Sequence, residues 1–400
     1  MLSKKALNIK SSPTLALVAK AKELQSKGHD VISLTVGEPD WPTYKVAAEA
    51  GIEAIQTGFT KYTAAQGTVE LRKAISQRVE MDLGFSYSPQ KEIVVTGGAK
   101  FAIYTALQVL CDPEDEVIIH SPYWVSYPAM AELAGAKPCI VDCGSEHNFK
   151  VSADRLEKAI NEKTKVFLFC SPSNPTGFVY TQAELLKIAE VLRKYPQIIV
   201  ISDDMYNRLM LNGETVAPHL LQAAPDLKDR VVVINGGSKA YSMTGWRIGW
   251  AMGPEKIIKA MADFASQVTG APSSIAQAAA EQALLHGEQD IKNTIKLLKD
   301  RLNLALTRIN SIEGLKAYKP DGAFYIWINV EALFGRQYKG QTLISSQQLG
   351  KIYLEDYFVA TVPGEEFGMA GFLRLSFAIE AERFSEAMDR LQNLITKDLQ

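Results

Sequence analysis

The sequence predicts an α/β fold whose core is a mostly parallel seven-stranded sheet flanked by helices, with a smaller α+β domain beside it. Short apolar runs rich in β-branched residues alternate with stretches of helical spacing. Most of these runs are apolar throughout, which is typical of strands in a parallel sheet covered on both faces. The strand candidates are Ile93–Thr96, Glu116–His120, Lys137–Asp142, Val166–Cys170, Ile198–Ser202, Val231–Asn235 and Ile248–Met252.

Helical patterns lie between the predicted strands. Phe101–Leu110 carries apolar residues at helical spacing after the first strand. A helix is also predicted over Thr181–Tyr195, because Thr181 and Glu184 have the spacing of a capping box and apolar residues follow along one face. The other predicted elements are helices at Pro13–Ser26, Gln282–Ile312 and Glu380–Thr396 and strands at Phe324–Val330 and Phe372–Phe377.

The two ends of the chain differ from its middle. A length of 400 residues suggests two or three domains at roughly 150 residues each. Strands and helices alternate in the middle of the chain, whereas the ends combine helices with a few short strands. We therefore predict a large domain at residues 47–294 and a smaller α+β domain formed by residues 1–46 and 295–400.

The composition excludes several classes of protein. Hydrophobic residues make up 47% of the chain and charged residues 22%, which is ordinary for a globular enzyme. A formal net charge of -2 argues against nucleic acid or an anionic membrane as a partner. The 4 cysteines show no CxxC spacing, so we expect reduced structural thiols and no metal site. The first residues lack the apolar core of a signal peptide, which makes the cytoplasm the expected compartment.

Polar residues follow four of the predicted strands. Ligands of open α/β sheets bind outside the carboxyl ends of the strands, so these residues are candidates for a common site. Taken singly, each pattern also fits a turn without a ligand, a solvated acid or a surface lysine. The four segments are Gly97-Gly98-Ala99-Lys100, Ser171-Pro172-Ser173-Asn174-Pro175-Thr176-Gly177, Ser202-Asp203-Asp204-Met205-Tyr206, and the stretch from Ser238 to Gly249.

Together the four segments offer the groups that one small cofactor needs. The glycine turn at Gly98 opens a helix, and a helix N-terminus favours a phosphate. The proline-rich turn can aim the Asn174 amide, and Asp203, which continues its strand, suits a buried cation better than the acid after it. Lys239 can form an imine, and Arg247 can hold a phosphate. This set points to pyridoxal 5'-phosphate (PLP) as the cofactor.

Specific sequence motifs support the prediction that PLP is the cofactor. In their order and spacing they resemble the class I aminotransferase family, and the match runs from Gly37-Glu38-Pro39-Asp40 to Arg374. The resemblance implies the fold called PLP-dependent transferase fold type I. Two further segments, Lys61-Tyr62 and Ser121–Pro128, are similar to the bacterial aspartate aminotransferase subgroup. The principal motifs are Asn174-Pro175-Thr176-Gly177, Asp203 with Tyr206, Ser238-Lys239, and Gly245-Trp246-Arg247-Ile248-Gly249.

The resemblance implies three catalytic residues. Lys239 holds the cofactor as an imine and then moves a proton between the substrate's Cα and the cofactor. Asp203 keeps the pyridine nitrogen protonated. Tyr206 bonds the phenolic oxygen of the ring, as does Asn174.

The resemblance also implies the binding residues. Cofactor contacts are expected from Gly98, Ala99, Lys100, Trp124, Asn174, Asp203, Tyr206, Ser238, Lys239 and Arg247, and from Tyr62 of the other subunit of a homodimer. Substrate contacts are expected from Gly37, Trp124, Asn174, Lys100 and Arg374, with Arg374 as the clamp for the α-carboxylate.

The chain departs from the animal-type aspartate enzymes at two places. Gly236 stands where those enzymes carry a phosphate-binding serine, and we assign that part to Ser238. No arginine matches the one that reads the distal carboxylate, and Lys100 is the candidate in its place. A cation at a helix N-terminus opposes the helix dipole, which favours an anionic ligand near Lys100. Ser12 and Thr14 are further candidates for this contact.

The expected activity is transfer of an amino group from aspartate, or a related amino acid, to 2-oxoglutarate by a ping-pong mechanism through pyridoxamine phosphate. Alternatives on the same fold are an aromatic, alanine or prephenate aminotransferase and a PLP-dependent β-lyase. A non-enzymatic regulator is the alternative from another class. The complete set of cofactor contacts argues against it.

Overall fold

The computed structural model describes residues 1–2, 7, 13–35 and 37–400. Ser12 and the side chain of Thr14, two of the candidates for contact with substrate, lie outside the described residues. Among the described residues, no helix is both long enough and apolar enough to pass through a membrane.

The strands are short, and most lie in two sheets. In chain order they are β1 (Ile32–Ser33), β2 (Ile93–Thr96), β3 (Glu116–Ser121), β4 (Lys137–Asp142), β5 (Thr164–Cys170), β6 (Ile199–Asp203), β7 (Val231–Gly236), β8 (Gly249–Met252), β9 (Lys316–Tyr318), β10 (Tyr325–Asn329), β11 (Gln337–Tyr338), β12 (Gln341–Thr342), β13 (Val359–Ala360), β14 (Val362–Pro363) and β15 (Phe372–Ser376).

The α-helices surround these sheets. In chain order they are α1 (Pro13–Ser26), α2 (Lys45–Gln56), α3 (Val69–Leu83), α4 (Ala99–Leu110), α5 (Tyr127–Leu133), α6 (Ala153–Ala159), α7 (Gln182–Lys194), α8 (Leu220–Ala223), α9 (Glu255–Val268), α10 (Ser274–His286), α11 (Glu288–Asn310), α12 (Ser346–Glu355) and α13 (Ala381–Asn393). Short 3-10 turns lie at Ser145–His147, Pro225–Arg230, Glu331–Leu333 and Gly364–Phe367, and a π turn at Leu394–Asp398.

The large sheet has the seven strands that the apolar runs predict, in the order β2-β8-β7-β6-β5-β3-β4. All neighbouring pairs are parallel except those of β8, which runs antiparallel to both β2 and β7. The central strands are buried along almost their whole length, as expected for a sheet covered on both faces. The capping box of Thr181 and Glu184 begins α7 as predicted. The α/β prediction is confirmed.

A smaller four-stranded sheet, β14-β15-β10-β9, lies in the C-terminal part of the chain. Two short strands from opposite ends of the chain meet nearby, where β1 pairs in parallel with β13. This pairing supports a unit built from both termini. The boundaries at residues 47 and 294 stay a prediction.

One long helix was expected over Gln282–Ile312, and this prediction is wrong. The chain instead forms α10 and α11, which meet at Gly287. Glycine is a poor helix former, and acidic residues in the first turn of α11 favour a new helix N-terminus. The break has a consequence for packing, because it brings Glu288 within 2.5 Å of the buried Arg208.

Candidate active site

The carboxyl ends of the large-sheet strands open into one cavity of about 350 Å³. Its volume is in the range of small-ligand pockets, roughly 300–1,000 Å³. All four segments that the sequence singles out contribute to its walls, together with side chains from β10 and β15. The site candidates that line it are Gly37, Ala99, Lys100, Trp124, Asn174, Asp203, Tyr206, Ser238, Lys239, Arg247 and Arg374.

Lys239 lies in the turn after β7, partly buried in the cavity wall. Its Nζ donates a hydrogen bond to the backbone oxygen of Gly37. Burial lowers the pKa of this ammonium to about 8, and the positive charge of Arg374 adds to the effect. An amine with such a pKa is neutral in about a tenth of the molecules at pH 7, far more than an ordinary lysine, so Lys239 can act as a nucleophile or a base.

Asp203 and Asp204 end up in different surroundings, although they are neighbours at the end of β6. Asp203 lines the cavity, and its carboxylate accepts hydrogen bonds from Tyr127 Oη at 2.6 Å and from the backbone N–H of Met205 at 3.2 Å. Burial raises the pKa of Asp203 to about 6. Asp204 points away from the cavity toward His219. Asp203 is thus the acid that a cationic ligand group in the cavity would meet.

Gly98 precedes α4 and lies against Arg247, which lines the cavity, whereas Gly98 itself is not among the lining residues. Gly98 has a φ of +99°, which glycine adopts without strain. A Cβ at this position would come within 2.6 Å of the Arg247 guanidinium. Arg247 is exposed, and its Nη1 donates to the backbone oxygen of Thr244 at 2.9 Å. An arginine beside a helix N-terminus is a fitting cradle for a phosphate.

The structure gives a steric reason for glycine at position 236. The residue pairs with Gly249 across β7 and β8, and a Cβ on Gly236 would lie 2.9 Å from the backbone oxygen of Ile248 and 3.0 Å from Gly249 Cα. A serine therefore does not fit here without a backbone shift. Ser238, the candidate in its place, is buried and lines the cavity.

Arg374 is a buried cation that pairs with no acid in the part of the chain that the structure describes. It lies on β15 with 3% of its surface exposed. Its guanidinium donates to Asn174 Oδ1 at 2.9 Å and to the backbone oxygen of Thr35, while its Nε has no partner among the described residues. Rings of Tyr325 and Phe367 pack against it, 4.4 and 5.0 Å from the guanidinium carbon. A buried guanidinium held in this way is suited to a carboxylate ligand.

Trp124 and Lys100 stand together on one wall. The Lys100 ammonium lies 4.9 Å from the centre of the Trp124 ring. Partial burial lowers the pKa of Lys100, with the nearby Arg247 as the second cause. Trp124 also makes an edge contact with the ring of Tyr127, whose hydroxyl holds Asp203.

Two functional candidates of the cavity were not singled out by the sequence. Tyr127 belongs to the segment Ser121–Pro128 but received no role, and Tyr325 lay in a predicted strand. Tyr325 Oη lies 2.8 Å from Tyr206 Oη, and both tyrosines are buried. The sequence offered one signal for these two residues, namely that both are tyrosines. A buried tyrosine usually needs a hydrogen-bond partner for its hydroxyl.

Tyr62 is a candidate that this chain does not bring to its own cavity. Its side chain is fully exposed, and it is absent from the residues that line the cavity. The sequence expects it to act in the other subunit of a dimer, and this stays a prediction.

The charges of the cavity are strongly unbalanced. The cations Lys100, Lys239, Arg247 and Arg374 line it, whereas Asp203 is the single acid among the described lining residues. Among those residues no carboxylate is in an ion pair with any of the four cations. Isolated cations of this kind are expected where the ligands are anions. The donor set fits a phosphate and carboxylates, so the residues present fit PLP and an amino acid.

The chain matches known proteins over nearly its full length. Residues 29–391 match the family model described as aminotransferase class I and II. A relative from Nitrosomonas europaea, named aspartate/prephenate aminotransferase, is 43% identical over 397 residues, which cover 99% of this chain and 100% of the relative.

Solved structures agree. The aspartate aminotransferase from Rhizobium meliloti has a TM-score of 0.95 and 37% identity, with 100% of both chains covered. The aspartate aminotransferase from Thermus thermophilus with maleate has a TM-score of 0.90 and 35% identity, covering 98% of this chain and 99% of that one.

The fold is that of the PLP-dependent transferases of fold type I. The chain belongs to the class I and II aminotransferase family, as the motifs indicated, and the class I family depends on PLP.

Proposed function

We propose that this protein is a PLP-dependent aminotransferase that takes the amino group of aspartate and passes it to 2-oxoglutarate. The observation that carries the proposal is the cavity in which four cations, none with an acid partner in the described part of the chain, face one acid. Aspartate and 2-oxoglutarate are both dicarboxylates, and the names of the relatives point to the same substrates. A phosphate and two carboxylates would neutralise these cations.

The cofactor would be held by Gly98, Ala99, Ser238 and Arg247. Bound there, PLP supplies an aldehyde that condenses with amines and a protonated ring that accepts electrons. Asp203 would keep a proton on the ring nitrogen, because a buried carboxylate without a cation is costly and a pyridinium relieves that cost.

Three further residues would contact the cofactor ring. Trp124 would stack on its face, while Asn174 and Tyr206 would donate to its oxygen. Lys100 would approach the cofactor from the same wall as Trp124.

Lys239 would serve as both the anchor and the base. Its lowered pKa of about 8 leaves part of the amine neutral at working pH. Nζ would accept the proton that leaves the substrate's Cα and return it later. The Gly37 backbone oxygen, which accepts from Nζ, would hold the amine between these steps.

Arg374 would bind the α-carboxylate of the substrate. Its position is set by Asn174, by the Thr35 oxygen and by the two rings that pack against it, so the arginine is in place before substrate arrives. Such preorganisation lowers the entropy lost on binding.

Lys100 would read the distal carboxylate of a dicarboxylic substrate. It lines the same cavity as Arg374 and has no acid partner among the described residues. Prephenate is a second candidate substrate, because the relative from Nitrosomonas europaea carries it in its name. Prephenate is also a dicarboxylate, so the same pair of cations would serve it.

We further propose that the enzyme is a homodimer with shared active sites and that residues 1–46 and 295–400 form the smaller domain. The exposed Tyr62 supports the dimer, since a fully exposed tyrosine is suited to an interface.

The substrate assignment is tested by half-reactions. Purified enzyme loaded with PLP is mixed with aspartate, glutamate, alanine or phenylalanine, and the change in the cofactor's absorbance is followed. Aspartate should convert the cofactor most efficiently. If alanine or phenylalanine reacts better than both acidic amino acids, the dicarboxylate assignment is wrong.

Two variants locate the specificity. Arg374→Ala should lower kcat/KM for every amino acid. The loss should correspond to about 2–5 kcal/mol of transition-state binding, the range for removing one partner of a buried charge pair. Lys100→Ala should reduce the rate for aspartate and glutamate far more than for alanine. Lys91→Ala, which removes an exposed lysine remote from the cavity, is the matched control. Equal losses for acidic and neutral substrates in Lys100→Ala would give Lys100 a purely structural part.

A further inference from the structure

Tyr325, the first residue of β10, contacts three residues to which the proposed function gives a direct part. Its hydroxyl lies 2.8 Å from Tyr206 Oη. The guanidinium carbon of Arg374 lies 4.4 Å from the centre of its ring. A Cβ added to Gly37 would collide with its hydroxyl, which shows how closely the Gly37 backbone approaches. Tyr325 therefore lies between the expected cofactor side and the expected substrate side of the cavity.

The contact between Tyr206 and Tyr325 limits where their protons can point. Burial raises the pKa of both phenols, so both are neutral and each carries one proton. Neither hydroxyl has another hydrogen-bond partner in the part of the chain that the structure describes. One hydroxyl must therefore donate and the other accept. If Tyr206 donates to Tyr325, no proton of Tyr206 remains for a ligand in the cavity.

We propose that Tyr325 is a positioning residue that donates its proton to Tyr206 Oη and thereby directs the Tyr206 proton into the cavity. This rests on the proposed function, in which the ring oxygen of PLP accepts from Tyr206. An anionic acceptor favours this arrangement, because hydrogen bonds to charged groups are stronger than neutral ones. The two bonds also polarise each other in the same direction.

The packing around Tyr206 keeps its hydroxyl in reach of Tyr325. The Tyr206 ring makes edge contacts with Phe324 at 5.8 Å and with Tyr325 at 5.7 Å between ring centres. Both neighbours come from the same stretch of chain at the start of β10. The smaller sheet thus fixes the rotamer of a residue that follows β6 in the large sheet.

The hydroxyl and the ring of Tyr325 have separable parts. The hydroxyl contacts Tyr206, whereas the ring supports the guanidinium of Arg374. Tyr325→Phe removes only the first contact and keeps the ring volume. Tyr325→Leu removes both. The two variants can therefore distinguish the orientation of Tyr206 from the support of Arg374.

The decisive experiment is a pH titration of the absorbance of PLP bound to the enzyme, which is a readout independent of turnover. Loss of a donor to the cofactor's oxygen makes the chromophore hold its proton more tightly, so its pKa rises. Tyr206→Phe should give the larger upward shift. Tyr325→Phe should give an upward shift of about half a unit to one unit, the effect of one neutral hydrogen bond.

The double variant decides whether Tyr325 acts through Tyr206. If it does, Tyr206→Phe combined with Tyr325→Phe should titrate like Tyr206→Phe alone. Tyr180→Phe is the matched control, since it removes another buried tyrosine hydroxyl, one that accepts from the backbone N–H of Val151, and it should leave the titration unchanged. Additive shifts in the double variant, or no shift in Tyr325→Phe, would overturn the proposal.

Kinetics give a second readout. Tyr325→Phe should lower kcat by about three- to ten-fold, the rate equivalent of one hydrogen bond, with KM for aspartate nearly unchanged. Tyr325→Leu should in addition raise KM, because Arg374 loses the ring beneath it. A change in KM alone for Tyr325→Phe would contradict the proposal.

If the wild-type protein binds no PLP at all, the proposed function itself is wrong. That result is distinct from a failure of the Tyr325 variants to behave as expected.

Discussion

At the scale of single residues, the fold buries the Asp203 carboxyl group in surroundings that disfavour its negative charge. Burial raises its pKa from 3.8 to about 6, although Tyr127 and the Met205 N–H both donate to its carboxylate. Groups with strongly shifted pKa values cluster at functional sites. The free energy lost in burying this carboxylate is returned when a cationic ligand binds beside it.

This gives a prediction for the protein without cofactor. Asp203 stabilises the fold most below pH 3.8, and this contribution is lost as the pH rises to about 6, since the folded state binds its proton more tightly. Asp203→Asn should remove this dependence. At pH 7 the variant should be more stable than wild type by up to about 3 kcal/mol, from 1.36 kcal/mol per pKa unit.

The measurement is the free energy of unfolding in urea at a series of pH values between 4 and 8. Asp204→Asn is the control for loss of a buried carboxylate at the same turn, and it should destabilise the protein because asparagine has one oxygen in place of the two that face Ser202 and His219. Parallel stability curves for wild type and Asp203→Asn would contradict the prediction. The same variant should lose its transaminase activity.

The choice between Asp203 and Asp204 could be made from the sequence, because continuing the strand determines which side chain faces the cavity. Tyr127 and Tyr325 could not be found in this way. Their contacts with Asp203 and Tyr206 join positions 76 and 119 residues apart, and the register that brings them together belongs to the tertiary structure. The local sequence pattern around each residue does not indicate contacts between residues so far apart in the chain.

At the scale of elements, the turn at Gly98 is shaped by β8. This strand runs antiparallel between β2 and β7 and places Gly249 against the start of α4. A Cβ on Gly249 would collide with the backbone N of Ala99 and lie 2.7 Å from Gly98 C. The sequence indicated both glycine motifs but not their contact, because nothing in the apolar runs showed that one strand of the sheet is reversed.

Gly249→Ala should therefore disturb the expected phosphate cradle. The added methyl has no space, so we expect a loss of about 1–3 kcal/mol in the free energy of unfolding and weaker binding of PLP. Urea unfolding and a fluorescence titration with PLP measure the two effects. Gly97→Ala is the matched control, since its Cβ would meet nothing within 4 Å. If both variants bind PLP equally well, β8 does not shape this turn.

At the scale of the whole molecule, the cavity is built by segments from the entire chain. Gly37 lies near the N-terminus and Arg374 near the C-terminus, and both line the same cavity as the lysine that follows β7. The α/β core could be predicted because its strands repeat one pattern. The break at Gly287 could not, since α10 and α11 share one continuous apolar periodicity.

The proposed dimer is tested by mixing variants. Lys239→Ala and Tyr62→Ala are refolded together and reconstituted with PLP. If Tyr62 serves the site of the partner subunit, each mixed dimer has one intact site, and a statistical mixture should regain about a quarter of the wild-type activity. Lys239→Ala mixed with Arg374→Ala is the control and should stay inactive, because both residues line the cavity of one chain. Failure of the first mixture to exceed its unmixed components would place Tyr62 outside the partner's site.

Lys239 is the residue proposed to carry the cofactor. This assignment is tested most directly by treating the yellow, PLP-loaded protein with borohydride, which makes the link between lysine and cofactor permanent, and by identifying the labelled peptide after proteolysis. We expect one labelled peptide, with the label on Lys239, and none in Lys239→Ala. A label on Lys100 or any other lysine, with Lys239 unmodified, would contradict it.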